Sequence, residues 1–282
     1  MAQGAQAPRR RAGVRAARAL DVADRRLTLL ELAEAWERIA ALAAPLEAER
    51  IPLGAACGRV AAQDAVSAVD LPPFDRSAMD GYAVRAADTG APMRIAGEVA
   101  AGEVWADTLE PGTALGITTG AALPPGADAI LRVEDAIVDG DALRAAAPLR
   151  PGVHIRFAGE DVARGDVLAA AGSVLSTQRV TALASAGVGE VTVVRRPVVH
   201  VLATGAELLE VGAPPEPGKI HESNRLTLDL LARSAGADVV VHPVVPDDRE
   251  ATRAAIEAGL AGDVLLVSGG VSVGPHDHVK PA

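Results

Sequence analysis

The sequence predicts a protein of mixed class, α/β plus β, in which a β-rich part precedes a parallel sheet flanked by helices. Two observations support this. From residue 197 onward, continuous apolar runs alternate with helical patterns in the order βαβαβ, which right-handed crossovers turn into a parallel sheet with helices on both faces. From about 50 to 150, short β-branched runs are separated by Gly and Pro, as in a small β-rich module.

Composition narrows the class of protein. The chain has 282 residues, of which 49% are hydrophobic and 23% charged, so it can bury two cores and is not disordered as a whole. Its one cysteine, Cys57, excludes an internal disulfide framework and a cysteine-cluster metal site. No apolar run reaches the roughly 18 residues of a membrane span. We therefore expect a soluble, cytoplasmic protein without a membrane partner.

Charge is distributed unevenly along the chain. Residues 1–26 contain seven arginines against Asp21 and Asp24, a net charge of +5. Since the whole chain has a net charge of −10, the remaining residues have a net charge of −15. An acidic body argues against nucleic acid as a partner, because phosphate binding needs basic surface. The basic start also lacks the apolar stretch of a secretory signal. Residues 1–26 are therefore predicted to be a disordered basic tail.

The first helix is predicted just after this tail. Thr28 and Glu31 have the spacing of a capping box. Apolar residues then recur at 32, 36, 39 and 43 on one helical face, and Pro45 ends the pattern. Trp36 on this stripe is predicted to belong to a core.

The middle of the chain predicts strands. We expect them over 93–99, 114–118 and 129–133, with a hairpin over 136–145 that turns at Asp139-Gly140. Ser176 and Thr177 then begin a helix that Gly187 ends, and a strand follows over 190–194.

The last third supplies the parallel sheet. Strands are predicted over 197–203, 237–245 and 263–267. A helix capped by Ser223 and Asn224 ends at Gly236, and a second helix spans 249–260. Open parallel sheets bind ligands beyond the carboxyl ends of their strands, so the residues that follow each strand are the candidate site.

Two kinds of residue follow these strands. The loop 268–274 has three glycines and two serines, whose backbone N–H groups could approach a phosphate or a pterin, although an ordinary tight turn explains it equally well. Glu207, Asp247, Asp248 and Asp277 are acids at the same edge. They suit Mg²⁺ held with waters and substrate phosphates, unless each is a separate solvated loop acid.

Two further groups lie outside the parallel sheet. Asp80-Gly81 is a turn signal, but Phe74, Met79 and Tyr82 crowd around it in a chain that is only 2% aromatic. Arg156 with Glu160 and Asp161 is by default a structural salt bridge. The histidines lack HExxH spacing, which disfavours a zinc hydrolase.

A set of motifs in fixed order gives the family. They are PPFDRSAMDGYA at 72–83, ITTGA at 117–121, LPPGAD at 123–128, GED at 159–161, TGAEL at 204–208, SNR at 223–225, and SGGVSVG at 268–274 followed by Asp277. In these motifs the chain resembles the molybdopterin molybdenumtransferases, the MoeA family that includes the gephyrin E domain, from about residue 28 to its end.

The resemblance implies a domain organisation. Residues 27–73 with 148–195 would form an elongated α+β domain I, and 74–147 an inserted β-rich domain II. Residues 196–282 would form a molybdopterin-binding α/β domain III, which we expect to be incomplete at its C-terminus, with the family's C-terminal β-barrel absent. Similar proteins are homodimers in which the β-rich part of one subunit approaches the sheet of the other, which implies a shared site.

The resemblance also implies a reaction. Molybdate would be inserted into adenylylated molybdopterin, supplied by a molybdopterin adenylyltransferase as the upstream partner, and AMP would be released with Mg²⁺ as cofactor. The residues carried over are, as catalytic, Asp80, Thr119, Arg156 and Asp161; as cofactor-binding, Thr204, Gly205, Ser268, Gly269, Gly270, Ser272 and Gly274; and, as metal ligands, Glu207, Asp247 and Asp277.

Two departures keep alternatives open. Ala206 stands where the family commonly has Asp or Asn, and the chain stops at Ala282, before lysines that would pair with molybdate and phosphate. The protein could instead be a non-catalytic molybdopterin-binding or scaffolding protein, or an inactive fragment. The βαβαβ part alone would also fit a molybdopterin adenylyltransferase or a pyridine-nucleotide hydrolase-like protein, but the stretch 72–161 fits neither.

Overall fold

The structure, a computed structural model, describes residues 30–270 and 278–280. The chain divides into two units, Met1–Pro45 and Leu46–Ala282. The basic tail 1–26 lies outside the described residues, so its disorder stays a prediction. No helix in the described part of the chain is long and apolar enough to cross a membrane.

The secondary structure alternates short strands with a few helices. In chain order the helices are α1 (Leu32–Leu42), α2 (Thr177–Ser185), α3 (Asn224–Ser234) and α4 (Arg249–Gly259). The strands are β1 (Ala48–Pro52), β2 (Ala65–Val66), β3 (Arg76–Ser77), β4 (Gly81–Val84), β5 (Met93–Val99), β6 (Thr113–Ile117), β7 (Ala129–Arg132), β8 (Ala136–Asp139), β9 (Ala142–Ala145), β10 (Ile155–Arg156), β11 (Val167–Ala169), β12 (Glu190–Val194), β13 (Val198–Ala203), β14 (Leu208–Leu209), β15 (Ile220–His221), β16 (Asp238–Val241) and β17 (Val264–Ser268).

Helix α1 has the predicted apolar face but no buried residue. Trp36 is 65% exposed, and Leu32 and Ile39 are exposed as well. The described residues of this unit therefore do not place Trp36 in a core as predicted, because the single helix described there has no second surface against which to bury its apolar face. Glu31 stands at the N-cap without a side-chain capping bond, and Thr28 of the predicted capping box lies outside the described residues.

Strands that precede the middle segment of the second unit pair with strands that follow it. β1 is antiparallel to β12, β2 to β11 and β3 to β10. The first two pairs enclose a core around Leu175, Leu183 and Val193, each essentially inaccessible to solvent. Helix α2 begins at Ser176 as predicted, since its hydroxyl accepts from the Arg179 amide at 3.4 Å. The chain segments that precede and follow the middle segment are thereby held together.

The middle segment forms one six-stranded sheet in the order β7-β4-β6-β5-β9-β8. One core cluster includes Leu115 and Ile130, and a second includes Met93, Leu131 and Leu143. Strand β5 has the predicted bounds, and β8 and β9 form the predicted hairpin. The sheet thus lies between chain segments that pair with each other, as an insertion requires, while the predicted domain borders remain predictions.

The last third forms a three-stranded parallel sheet in the order β16-β13-β17. Its central strand β13 is almost entirely buried, and α3 packs on β13 and β16 while α4 packs on β13 and β17. Strand β16 ends at Val241, short of the predicted 245, because Pro243 has no amide hydrogen to donate to the ladder. The βαβαβ order places the ends of all three strands at one edge.

Helix α3 is capped differently from the prediction. Ser223 is at the N-cap but makes no side-chain capping bond. Instead, the Glu222 carboxylate accepts from the Arg225 amide at 2.9 Å. An acidic group at a helix N-terminus is favourable for the same reason as a cap, because it faces unpaired N–H groups.

Candidate functional site

Three chain segments meet where the strands of the parallel sheet end. The Thr204 amide donates to the Ser268 carbonyl at 3.0 Å, and the Gly205 amide donates to the Val245 carbonyl at 3.2 Å. The structure therefore brings together the predicted cofactor-binding residues Thr204, Gly205 and Ser268. Gly269 and Gly270 continue from Ser268 at the same edge.

The two glycines after β17 lie directly on Thr204. Gly269 has φ +87° and Gly270 has φ +61°, a region that L side chains rarely adopt. A Cβ atom on Gly269 would lie 2.3 Å from the Thr204 carbonyl oxygen. One on Gly270 would lie 2.6 Å from the Thr204 hydroxyl. Both the backbone conformation and the close approach therefore require glycine here.

The Thr204 hydroxyl is unusual in its surroundings. Thr204 is 5% exposed, and among the described residues its Oγ1 is a buried side-chain atom without a hydrogen-bond partner. Such an atom loses its contact with water without compensation. A polar atom of this kind, next to backbone that approaches closely, is suited to bind a ligand.

Two predicted metal ligands flank the turn that follows β13. Asp247 Oδ2 accepts from the Ala206 amide at 3.1 Å. The Glu207 carboxylate lies against Gly205, where a Cβ atom would be 2.8 Å from its Oε2. The next acid along the chain has another role, because Asp248 Oδ1 accepts from the Ala251 amide at 2.9 Å and caps α4. Of the two neighbouring aspartates, Asp247 thus belongs to the site.

The carboxylates can be tested against a Mg²⁺ ion. Within 30–270 and 278–280, no group of three or more His, Cys, Asp or Glu side chains is arranged to hold a metal. Mg²⁺, however, is commonly bound by one or two carboxylates together with waters and substrate phosphates. Glu207 and Asp247 on either side of one turn fit that requirement. Ser272, Gly274 and Asp277 lie outside the described residues, so their roles stay predictions.

A second cluster is built on the six-stranded sheet. Asp80 Oδ1 accepts from the Thr119 amide at 2.6 Å and from the Thr119 hydroxyl at 2.8 Å. These two hydrogen bonds, the backbone one first, hold the pKa of Asp80 below its ordinary value. Two residues predicted separately from the sequence are therefore one hydrogen-bonded unit, with the carboxyl group ionised at neutral pH.

A third cluster surrounds Arg156. Its Nη2 lies 2.6 Å from each oxygen of Asp161, and its Nε donates to Glu160. The default expectation of a salt bridge is confirmed. An oxyanion at Arg156 must accordingly compete with two carboxylates that already occupy most of the guanidinium.

Backbone bonds join the second and third clusters. The Ser77 amide donates to the Ala121 carbonyl at 3.0 Å, and the Ala78 amide donates to the His154 carbonyl at 2.9 Å. The segments that carry Asp80, Thr119 and Arg156 are thus parts of one junction. In the described part of the chain, no hydrogen bond or ion pair links this junction to Thr204, Glu207 or the other sheet-edge residues.

Sequence reasoning missed two contributors to the sheet edge. Asn224 Nδ2 donates to Ser268 Oγ at 2.9 Å. Arg225 is buried at 6% exposure and donates to Glu210 and to the His242 carbonyl. An arginine directly beside a helix cap and before a run of leucines is a signal in the sequence for such a buried contact.

The fold and site define an α+β protein with a glycine-lined ligand edge on a parallel sheet. Residues 30–187 match the family described as "MoeA N-terminal region (domain I and II)". Residues 200–282 match the family described as "Probable molybdopterin binding domain". The chain belongs to the MoeA family.

Individual relatives agree with this assignment. The chain is 38% identical over 240 residues to a molybdopterin molybdenumtransferase of Haemophilus influenzae, covering 84% of this chain and 59% of the relative. It is 41% identical over 242 residues to molybdopterin molybdenumtransferase 2 of Mycobacterium tuberculosis, covering 82% and 59%. It thus spans about three fifths of the length of these relatives.

A crystal structure with the same fold is also known. It is the molybdopterin biosynthesis MoeA protein of Pyrococcus horikosii, with a TM-score of 0.80 and 33% identity. The similarity covers 90% of this chain and 66% of that one. The described arrangement of sheets is therefore that of a MoeA-like α+β fold.

Proposed function

We propose that this protein acts in molybdenum cofactor biosynthesis as a molybdopterin molybdenumtransferase, which inserts molybdate into adenylylated molybdopterin and releases AMP. The observation that carries the proposal is the sheet edge itself. A buried Thr204 hydroxyl lies there beneath two glycines that admit no side chain. The names of the relatives supply the substrate class.

The sheet-edge residues would bind the phosphate end of the substrate. Because Gly269 and Gly270 approach Thr204 closely, the neutral polar groups beside Glu207 and Asp247 are backbone N–H groups and the Thr204 hydroxyl. Glu207 and Asp247, with Asp277, would hold Mg²⁺. When bound, that ion would offset the charge that develops on the leaving phosphate. Without a cation, the same acids would repel an anionic substrate.

The Asp80 and Arg156 clusters would supply the other half of the site. A carboxylate with a lowered pKa is a weak base, so Asp80 suits the orientation of a water or hydroxyl better than the removal of a proton. Since these clusters make no polar link to the sheet edge in the described residues, we propose a homodimer in which the β-rich part of one protomer faces the sheet edge of the other. A molybdopterin adenylyltransferase would supply the substrate.

The test is AMP release from adenylylated molybdopterin, with molybdate and Mg²⁺ present. Asp247→Asn should lower the rate about 10-fold to 100-fold, the usual loss for a disturbed metal site. Asp248→Asn is the matched control, because asparagine remains a good helix cap and the residue faces α4. Its rate should stay near that of the wild type.

Three outcomes separate the possibilities. Loss in Asp247→Asn alone supports the proposal. Equal loss in both variants contradicts it, because the site would not distinguish the two acids. Tight binding of molybdopterin without AMP release, in wild type and variants alike, would identify a non-catalytic binding or scaffolding protein instead.

A further inference from the structure

We propose that Arg225 is a positioning residue of the sheet-edge site. With its neighbour Asn224, it holds the three chain segments that carry Glu207, Asp247 and Ser268 in one arrangement. This inference rests on the proposed function for its biological meaning. The geometry it describes can be measured independently of that function.

The guanidinium of Arg225 has three partners in three directions. Its Nε donates to Glu222 Oε2 at 3.0 Å, its Nη1 donates to the His242 carbonyl, and its Nη2 donates to Glu210 Oε2. Only the rigid fork of an arginine reaches three such acceptors at once, since a lysine is a point charge on a flexible stem. The contacts therefore depend on the shape of the group as well as on its charge.

Because the Arg225 side chain is buried, the loss of one of these contacts would leave a charged group without a partner away from water. The side chain of Arg225 is 7% exposed and that of Glu222 is 3% exposed. A buried charge is tolerated when it is paired and fully hydrogen-bonded. Glu210 is different, because its side chain is 59% exposed. It is bound to Arg225 from the solvent side, and a change at Glu210 does not leave a buried carboxylate.

Two of the three partners of Arg225, Glu210 and the His242 carbonyl, lie on chain segments of the site. Glu210 follows Glu207 by three residues, and its second oxygen accepts from the Val244 amide at 3.3 Å. Val244 precedes Asp247 by three residues. Two carboxylate-bearing segments are thus tied together through one glutamate and one arginine.

The third segment is tied to the same helical turn by the neighbouring residue. Asn224 Nδ2 donates to Ser268 Oγ at 2.9 Å, immediately before the two glycines. The first turn of α3 is therefore the common attachment point of all three segments. The hydrogen bonds of the Arg225 side chain go to Glu222, Glu210 and the His242 carbonyl and not to Glu207, Asp247 or Ser268, so its role is to position ligand-binding groups.

Hydrogen exchange of individual amides tests this role. The amides of Gly205, Ala206 and Val244 are held by the Val245 carbonyl, Asp247 and Glu210. In Arg225→Lys and Glu210→Gln these amides should exchange about tenfold faster than in wild type, as expected for the loss of one or two charged hydrogen bonds.

The pattern separates positioning from general stability. Amides in the middle of β13 should keep their wild-type rates in Glu210→Gln, which is expected to fold because Glu210 is largely exposed. Arg253→Lys is the matched control, because the ion pairs of Arg253 on α4 are exposed. It should leave the exchange rates of all these amides unchanged.

Two results would overturn the inference. One is unchanged exchange at the three amides in Glu210→Gln, and the other is uniform acceleration throughout β13, β16 and β17. AMP release is measured on the same proteins. Faster exchange at the three amides supports the positioning role even if wild type releases no AMP, a result that would count against the proposed function alone.

Discussion

The contact between Thr204 and the two glycines allows a quantitative test of the sheet edge. Replacing Gly269 by alanine imposes a positive φ on an L residue, which costs about 1–2 kcal/mol. It also places a Cβ atom 2.3 Å from a backbone carbonyl, and forcing atoms into a packed site costs about 1–3 kcal/mol more. We expect Gly269→Ala to lower the free energy of unfolding by about 2–5 kcal/mol.

A matched control isolates the second contribution. Gly236 has φ +92°, and a Cβ atom there would meet no atom within 4 Å. Gly236→Ala should therefore lose only the cost of the backbone conformation. In calorimetry, Gly269→Ala should melt at least about 2 °C below Gly236→Ala, given roughly 2–4 °C per kcal/mol in a chain of this size. Equal melting temperatures would refute the close approach.

The identity of the obstructing atom gives a sharper comparison. At Gly270 a Cβ atom would meet the Thr204 hydroxyl, whereas at Gly269 it would meet the Thr204 carbonyl oxygen. Thr204→Ala removes the first obstacle and leaves the second. It should therefore restore part of the lost stability in the Gly270→Ala background, with a coupling of about 0.5–3 kcal/mol, while the contact with Val279 and the positive φ remain. With Gly269→Ala it should have no such effect, because the carbonyl oxygen stays in place. Rescue of both variants, or of neither, would contradict the geometry.

Three other predictions concern titration and packing. Thr119→Val removes one donor to Asp80, so the pKa of Asp80 should rise toward its ordinary value in an NMR titration. In the wild type, the stabilising contribution of Asp80 is present above about pH 4. This contribution is lost as the pH falls through the lowered pKa of Asp80. Burial, and then the charge of His200, lower the pKa of His242, so below about pH 6.5 the unfolded chain binds more protons than the folded one. The melting temperature should consequently fall between pH 7.5 and 5.5, less steeply in His242→Gln. Leu183→Ala empties part of a fully buried core position and should cost about 2–5 kcal/mol in urea unfolding.

Strand positions could be predicted where burial alternates along the chain. β5 has the predicted bounds because its buried and exposed residues alternate, from Met93 to Val99, and that alternation is visible in the sequence. The strand predicted over 237–245 was too long because hydrophobicity continues past Pro243, where the backbone can no longer pair continuously. Trp36 shows the converse limit, since an apolar stripe predicts a face and not the surface that covers it.

The candidate site could be located but not resolved from the sequence. Carboxyl ends of parallel strands meet at one edge, so the grouping of Thr204, Asp247 and Ser268 followed from the order of elements. Which of two adjacent acids faces the site depends on side-chain direction, which separates Asp247 from Asp248. The contacts of Arg225 join residues up to 17 positions apart, and such pairings arise only from the folded arrangement.

The two halves of the proposed site share one physical property. Asp80 is fixed by Thr119, and Asp161 is fixed by Arg156. Across the proposed dimer, Asp247 is fixed by the Ala206 amide and Ser268 by Asn224. Each of these carboxylates and hydroxyls is thus oriented by a neighbouring segment of its own half before the two halves meet. Because ordering side chains on association costs free energy, halves that are already ordered can form a shared site with little further loss. Pairing of two chains would then assemble the site by rigid docking, and substrate binding would not have to arrange it.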